Sequence, residues 1–285
     1  LKGLNESGLC LMDNLKRHPN PLTQLRLFNF FCIFHLVRYM ALLEAFYCGE
    51  NIRPVLLDFS GIAPSQSSVA RASEMAYTQM HKSINRFYAW GYAQKLKEKD
   101  YSKEDLLQSE TPVYDEKKKA SVEFSTLWNL AKERASACAT DDAARLVFGE
   151  TMYDMLALEA SSHPVNCLKI LGTSAGMLYP PDQMHPNKRF VLSQDILEMI
   201  LRSTVSPDEV LSGNDMRNRL WERFGIIIGG STYEIEKLQS SGMLLQIDED
   251  SLERNFTSFA ALLESMDFAE VMADGILQIR LGGSD

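Results

Sequence analysis

Apolar positions are densest between Leu22 and Tyr47, where no glycine or proline intervenes before Gly49. This predicts one long helix after the His18-Pro19-Asn20-Pro21 break. Within it, Leu27 to Val37 (LFNFFCIFHLV) is interrupted by Asn29 and His35 and followed by Arg38 and Glu44. That falls short of the roughly 20 apolar residues that cross a bilayer, so the expectation is a core helix buried on most sides and no membrane partner. At Pro54 to Gly61 the texture changes to an apolar run between proline and glycine, which predicts a buried strand or extended connector, with Gly61 to Ser68 as loop. From Ser67 to Lys99, Val69, Ala72, Ala76, Met80, Ile84, Phe87 and Trp90 recur every three or four residues and draw the apolar stripe of a second long helix.

Asp100 to Ala120 is polar, ends in Glu116-Lys117-Lys118-Lys119, and reads as an exposed connector. Ser121 to Cys138 and Asp141 to Ala160 predict two further helices, the second opened by the cap signal Thr140-Asp141-Asp142. After the His163-Pro164 break, Cys167 to Tyr179 mixes apolar residues with Gly172 and Gly176 and stops at Pro180-Pro181. Helices are then expected at Ser193 to Ser203, Asn214 to Phe224, Thr232 to Ser240 and Ser251 to Met266, with Ser193 and Asn214 as caps. Short strands are expected at Gly225 to Gly229, Met243 to Ile247 and Gly275 to Leu281. The pattern therefore predicts a mainly α protein: a helical domain over 1–160 and a small α+β, winged-helix-like domain over 161–285.

Composition narrows this reading. With 285 residues, 45% of them hydrophobic, the chain has material for a sizeable core. Its five cysteines (Cys10, Cys32, Cys48, Cys138, Cys167) stand singly without a C-x-x-C pair, which fits reduced thiols in a cytoplasmic protein. The chain opens on Leu1 with no charged and apolar leader pattern, and is expected to be a piece of a longer chain. A formal charge of −9 and a pI near 5.2 exclude a protein that coats nucleic acid by bulk charge.

Gly172-Thr173-Ser174-Ala175-Gly176 matches the G-x-S-x-G turn that presents a nucleophilic serine between a strand and a helix, with Cys167 to Leu171 as the candidate strand. Pro180-Pro181 prevents a long helix after it, and His185 is the only downstream histidine, so a Gly-permitted turn is the expectation and catalysis by Ser174 the alternative. Gly225 to Thr232 lacks the lysine and spacing of a phosphate loop. Asp58 ends an apolar strand-like run, where α/β enzymes place functional carboxylates, but no partner motif accompanies it. The histidines (His18, His35, His81, His163, His185) show no zinc spacing, so neither metal nor cofactor is expected.

The second long helix sets Arg71, Lys82, Arg86, Lys95, Lys97 and Lys99 against only Glu74 and Glu98, interleaved with Tyr77, Phe87, Tyr88, Trp90 and Tyr92. Lys188-Arg189 in a loop and Arg219 and Arg223 on one helix face add cations suited to phosphates. The candidate nucleic-acid residues are thus Lys82, Arg86, Lys188, Arg189, Arg219 and Arg223; the alternative is a solvated surface whose aromatics belong to the core. From Asp248 to Asp285, nine acidic residues face only Arg254 and Arg280, a local net of −7 that repels DNA and suits a basic protein partner.

The stretch Cys167 to Val205, with Lys169-Ile170-Leu171-Gly172, Tyr179-Pro180-Pro181 and Lys188-Arg189-Phe190 before an amphipathic helix, resembles accessory subunits of bacterial anti-phage defence systems. Arg219-Leu220-Trp221-Glu222-Arg223-Phe224-Gly225-Ile226-Ile227 continues the likeness. The resemblance covers about a quarter of the chain and carries over no functional residue. What it implies, joined to the charge pattern, is a non-catalytic subunit that assembles with other proteins and contacts DNA. A serine hydrolase using Ser174 is the alternative, and an obligate complex component without DNA contact is a third reading, favoured by exposed apolar surface.

Overall fold

The structure, a computed structural model, describes residues 2–49, 53–112, 122–159, 164–183, 185–229, 232–241, 247–273 and 275–281. Helices α1 (Lys2–Arg17) and α2 (Pro21–Cys48) lead to β1 (Val55–Leu56) and α3 (Ser68–Glu98), followed by α4 (Lys103–Gln108), α5 (Val122–Ser136), α6 (Asp141–Glu159) and α7 (Pro164–Ser174). Then come β2 (Leu178–Tyr179), β3 (Arg189–Phe190), α8 (Gln194–Arg202), β4 (Val210–Ser212), α9 (Gly213–Phe224) and β5 (Ile226–Ile227). The chain ends through α10 (Thr232–Ser240), α11 (Glu249–Ser265), β6 (Ala269–Val271) and β7 (Leu277–Arg280). The protein is mainly helical, with small sheets, as its periodicity predicts.

Several local signals resolve differently from the expectation. The polar stretch after Asp100 contains α4, because Ser102 and Asp105 form a capping box in which each side chain accepts from the other's backbone N–H, and Leu106 is buried beneath it. α9 is capped by Ser212, whose hydroxyl accepts from the Asp215 N–H, and not by Asn214. Cys167 to Leu171 is helical, within α7, and not a strand. Glu116 to Lys119, His163 and the strand expected at Met243 to Ile247, apart from Ile247, lie outside the described residues.

Two compact units divide the chain. One comprises Leu1–Met40, Asn51–Met80 and Leu168–Asp285, the other Ala41–Glu50 and His81–Cys167, so they do not follow the successive blocks 1–160 and 161–285. The reason lies in non-local pairing: α1 packs on α8 and α9, and β1 pairs in parallel with β5, Val55 opposite Ile226 and Leu56 opposite Ile227.

In the first unit, the buried Asn14 of α1 donates to the carbonyls of Arg202 (2.8 Å) and Val205 (2.9 Å), satisfying the C-terminal end of α8. The two-residue β1–β5 ladder is extended by a second buried amide. Asn255 of α11, 1% exposed, donates to the carbonyls of Leu57 (2.8 Å) and Ile228 (2.6 Å) and accepts from the Phe59 N–H (2.7 Å). Gly229 permits this approach: its φ is +116°, and a Cβ there would meet the Leu252 carbonyl oxygen at 2.6 Å. The third sheet is antiparallel in the order β4-β7-β6, with Leu211 opposite Ile279 and Val271 opposite Leu277; Leu211, Leu277 and Ile279 point into the core beneath α11.

In the second unit, α4, α5 and α6 enclose Leu106, Phe124, Trp128, Ala131, Phe148 and Met155, with the Trp128 and Phe148 rings edge to face at 4.8 Å. Lys103 donates to the carbonyls of Ser136 (2.9 Å) and Cys138 (2.7 Å) beyond the end of α5, a cation placed where the helix leaves carbonyls unpaired.

Two measurements follow from these contacts. Asn255→Asp keeps the shape and the bond from the Phe59 N–H but sets an acceptor against two carbonyls, so chemical denaturation should show a loss of about 2 kcal/mol, roughly 1 kcal/mol for each of the two lost bonds. A loss well below about 1 kcal/mol would mean that the strands hold without it. His35 on α2 is wedged among Phe31, Phe34 and Phe224, with Nε2 buried and unbonded. Burial, reinforced by the Arg38 cation, holds its pKa down at about 4, from an ordinary 6.5. The unfolded chain therefore binds the proton first, and this contribution to stability is complete above pH 6.5 and lost as the pH falls towards 4. His35→Phe should flatten that slope in denaturation midpoints measured across this window.

Candidate functional site

The cations that the sequence offers to phosphate are, with one exception, held by the protein itself. Arg86, on α3 in the second unit, donates to both carboxylate oxygens of Glu44, Nη2 to Oε2 at 2.9 Å, and Glu44 is only 4% exposed. Arg219 grips Glu209 in a fork (2.9 and 2.5 Å) and donates to the Thr204 carbonyl at 3.1 Å. The hydrogen bonds from Arg219 hold the Glu209 carboxyl at a pKa of about 2, well below its usual range. Arg223 donates to the carbonyls of Ser203 (2.9 Å) and Thr204 (3.1 Å), so both arginines cap the exit of α8. Both also line a polar cavity of about 580 Å³ shared with Glu6, Glu209 and Glu222. Lys188 is fully buried, its ammonium donating to the carbonyls of Pro180 (2.6 Å) and Asp182. Only Lys82 is exposed without an ion pair or hydrogen bond among the described residues.

The G-x-S-x-G segment is the end of a helix followed by a turn. Both glycines have packing reasons: a Cβ on Gly172 would meet Leu178 Cδ1 at 2.8 Å, and Gly176, at φ +75°, passes so close to Ser193 that a Cβ would lie 2.5 Å from its hydroxyl. Ser174 is exposed and accepts from Gln183 Nε2 at 3.2 Å. His185 instead sets Nδ1 2.7 Å from the Asn187 carbonyl, and no histidine or carboxylate bonds to Ser174 among the described residues. The strand, the base and the acid that activate an elbow serine are not assembled around it.

Asp58 is the most buried carboxylate among the described residues. It is 1% exposed at the end of β1, where its N–H donates to the Phe190 carbonyl (2.8 Å) and its Oδ1 accepts from the N–H (2.9 Å) and hydroxyl (2.6 Å) of Ser60. Its Oδ2 lies 3.1 Å from Nε of Arg189, misaligned, so that both atoms are buried without a hydrogen bond. Arg189, 8% exposed, also donates through Nη1 to the Ile62 carbonyl (2.9 Å) and sits 5.1 Å over the Tyr179 ring. This pair backs a cavity of about 530 Å³ between the turn after β1, the start of α3 and the β2–β3 hairpin, with Glu74, Tyr179 and His185 among its walls. Of these residues the sequence singles out Asp58, Arg189 and His185, but not that they meet. Glu74 comes from α3 and Tyr179 and His185 from the β2–β3 hairpin, with no motif spacing to join them.

A different feature lies on α2. One face buries Leu27, Phe31, Phe34 and Val37, while Leu22, Leu25, Phe28, Leu36 and Tyr39 are 43–77% exposed along the opposite side, with exposed Cys32 among them. Among the described residues α2 is the one helix long and apolar enough to cross a membrane, and 33% of its most apolar window is buried. The helix is therefore not buried on most sides, because it carries two apolar stripes and the protein covers one. No group of histidines, cysteines and carboxylates among the described residues is arranged to hold a metal.

Comparison of the chain with protein-family profiles, with curated proteins and with solved structures finds no match.

If the arginines are structural, their removal should register in stability before it registers anywhere else. Arg86→Ala removes two hydrogen bonds from the buried Glu44 carboxylate and should cost about 2 kcal/mol in chemical denaturation, less than for a fully enclosed pair because Arg86 itself is half exposed. Lys82→Ala should fall within about 0.5 kcal/mol of the parent. Equal effects would remove the distinction between them.

Proposed function

We propose that the protein is a non-catalytic, cytoplasmic subunit of a multi-protein assembly, and that it docks a partner chain on the outer stripe of α2. The exposed apolar face carries this reading. Leu22 to Tyr39 span about 25 Å at 1.5 Å per residue, and the stripe contains no charged side chain. An uncovered apolar patch of this extent marks an interaction surface. The opposite face is committed to the core, so the helix is not free to span a bilayer.

The segment from α8 to β7 is read as a winged-helix-like module. Helix α8, strand β4, helix α9, helix α11 and the β6–β7 hairpin follow in the order of such modules, with β5 and α10 inserted, and the sheet order β4-β7-β6 supports the same topology. Helix α11 precedes the hairpin, where a DNA-reading module carries its recognition helix. It exposes Glu249, Asp250, Glu253 and Glu264 against Arg254 alone. That charge suits a basic protein surface and opposes phosphate. A place in bacterial anti-phage defence rests on the resemblance of the segments around Gly172 and Trp221.

The test is affinity purification of the tagged protein from its native host, with partners identified by mass spectrometry. Leu25→Glu combined with Leu36→Glu should weaken capture of a defined partner by about tenfold or more, since a charge buried in an apolar seam goes unpaired, while the circular dichroism stays the same. An unchanged partner set would sink the α2 reading. A low-salt DNA shift that disappears on neutralising Lys82, Arg86, Arg219 and Arg223 would put DNA in the partner's place.

A further inference from the structure

The cavity behind which Asp58 and Arg189 are paired has features that fold stability does not account for. A buried ion pair is a poor stabiliser, because removing both charges from water costs about as much as their attraction returns. Here the pair is also incompletely bonded, with Arg189 Nε and Asp58 Oδ2 lacking hydrogen bonds. Nη1 of Arg189 is used by the Ile62 carbonyl, which leaves Nη2 as a donor with no partner among the described residues, on a residue that lines the cavity.

Two acceptors share the same cavity. The Glu74 carboxylate has no hydrogen bond or ion pair among the described residues. His185 sets Nδ1 at 2.7 Å from the Asn187 carbonyl, an acceptor, which assigns Nδ1–H as the tautomer and Nε2 as the ring's acceptor. Tyr179, 47% exposed, and Pro64 supply apolar wall. The charges decide between ligand classes. Glu74 and Asp58 balance Lys188 and Arg189, so a dianion would leave the site strongly negative, whereas a neutral molecule with separated charges leaves it balanced. At about 530 Å³ the space is of the size that small-molecule sites occupy.

We propose that this cavity binds a small zwitterion, a free amino acid or short peptide, with its carboxylate on Arg189, its ammonium between Glu74 and His185, and its hydrocarbon against Tyr179 and Pro64. The site is independent of docking on α2 and needs no catalytic step.

The experiment is isothermal titration of the full chain with each free L-amino acid, with alanyl dipeptides, and with inorganic phosphate and adenosine monophosphate as anionic controls. At least one amino acid or dipeptide should saturate at or below about 1 mM. Its N-acetylated and its amidated forms should each bind at least about tenfold more weakly. Glu74→Gln, which disturbs no internal bond, should weaken binding by a similar factor with an unchanged melting curve. Whether free amino acids or dipeptides bind more tightly identifies the source. No saturation by either set, saturation by phosphate or the nucleotide alone, or binding indifferent to Glu74→Gln would each overturn the proposal.

Discussion

Three hydrogen bonds made by Asn255 tie together parts of the chain that are far apart in sequence. It bonds residues 198 and 196 positions before it, Leu57 and Phe59, and Ile228, 27 positions before it. The β1–β5 ladder consists of two residue pairs, too few to be stable alone. By accepting one N–H and donating to one carbonyl on each strand's exit, the amide continues the ladder where the backbones diverge. The turn that carries Asp58 depends on that exit. The Asp58 N–H reaches the Phe190 carbonyl only from there, and Ser73 fixes the same residue from the other side by accepting the Phe190 N–H at 2.8 Å. Arg189, Tyr179 and the cavity are therefore positioned by a side chain that does not touch them.

The same economy explains why charge counting gives the wrong picture of the surface. The cations on the expected DNA-facing elements are concentrated where helices end or where carboxylates are enclosed. Arg219 and Arg223 meet the carbonyls that α8 leaves behind, and Arg86 neutralises Glu44. Each has an enthalpic reason to stay where it is, since a freed carbonyl or carboxylate would lose its partner in partly buried surroundings. A basic stripe in sequence is a statement about residue types. Only the partners decide whether the charge is available, and of the candidate set Lys82 alone has no ion pair or hydrogen bond among the described residues.

Helices α2, α3, α5, α6 and α11 were legible because a 3.6-residue period over four or more turns leaves an unambiguous trace. The short strands β2, β3, β4 and β6 were not, because two or three residues carry no period. Helix α1 escaped because its buried face mixes Ser7, Cys10, Leu11, Asn14 and Leu15, whose polar members satisfy backbone carbonyls and do not read as core. The interleaving of the two units was illegible for a related reason: it is set by pairs such as Ile62 with Arg189, 127 positions apart, that no local pattern announces. The turn glycines were half legible. Their spacing drew attention to Ser174, and only the approach of Ser193 to Gly176 shows that the spacing serves packing.

The two stripes of α2 bear on the assembly reading in a way that composition alone cannot. A helix that is apolar all round usually has neighbours all round, and here the protein supplies them on one side only. Keeping Leu22, Leu25, Phe28, Leu36 and Tyr39 in water forgoes roughly 1 kcal/mol or more per side chain of transfer free energy. No hydrogen bond or charge pair on that stripe offsets the loss. Polar substitution at five such positions would be stabilising or neutral in an isolated protein, so their apolar character is accounted for most simply by a surface that covers them. The acidic face of α11 needs no such partner to be stable in water. Of the two surfaces, it is therefore the outer stripe of α2, and not the charged end of the chain, on which the assembly reading rests.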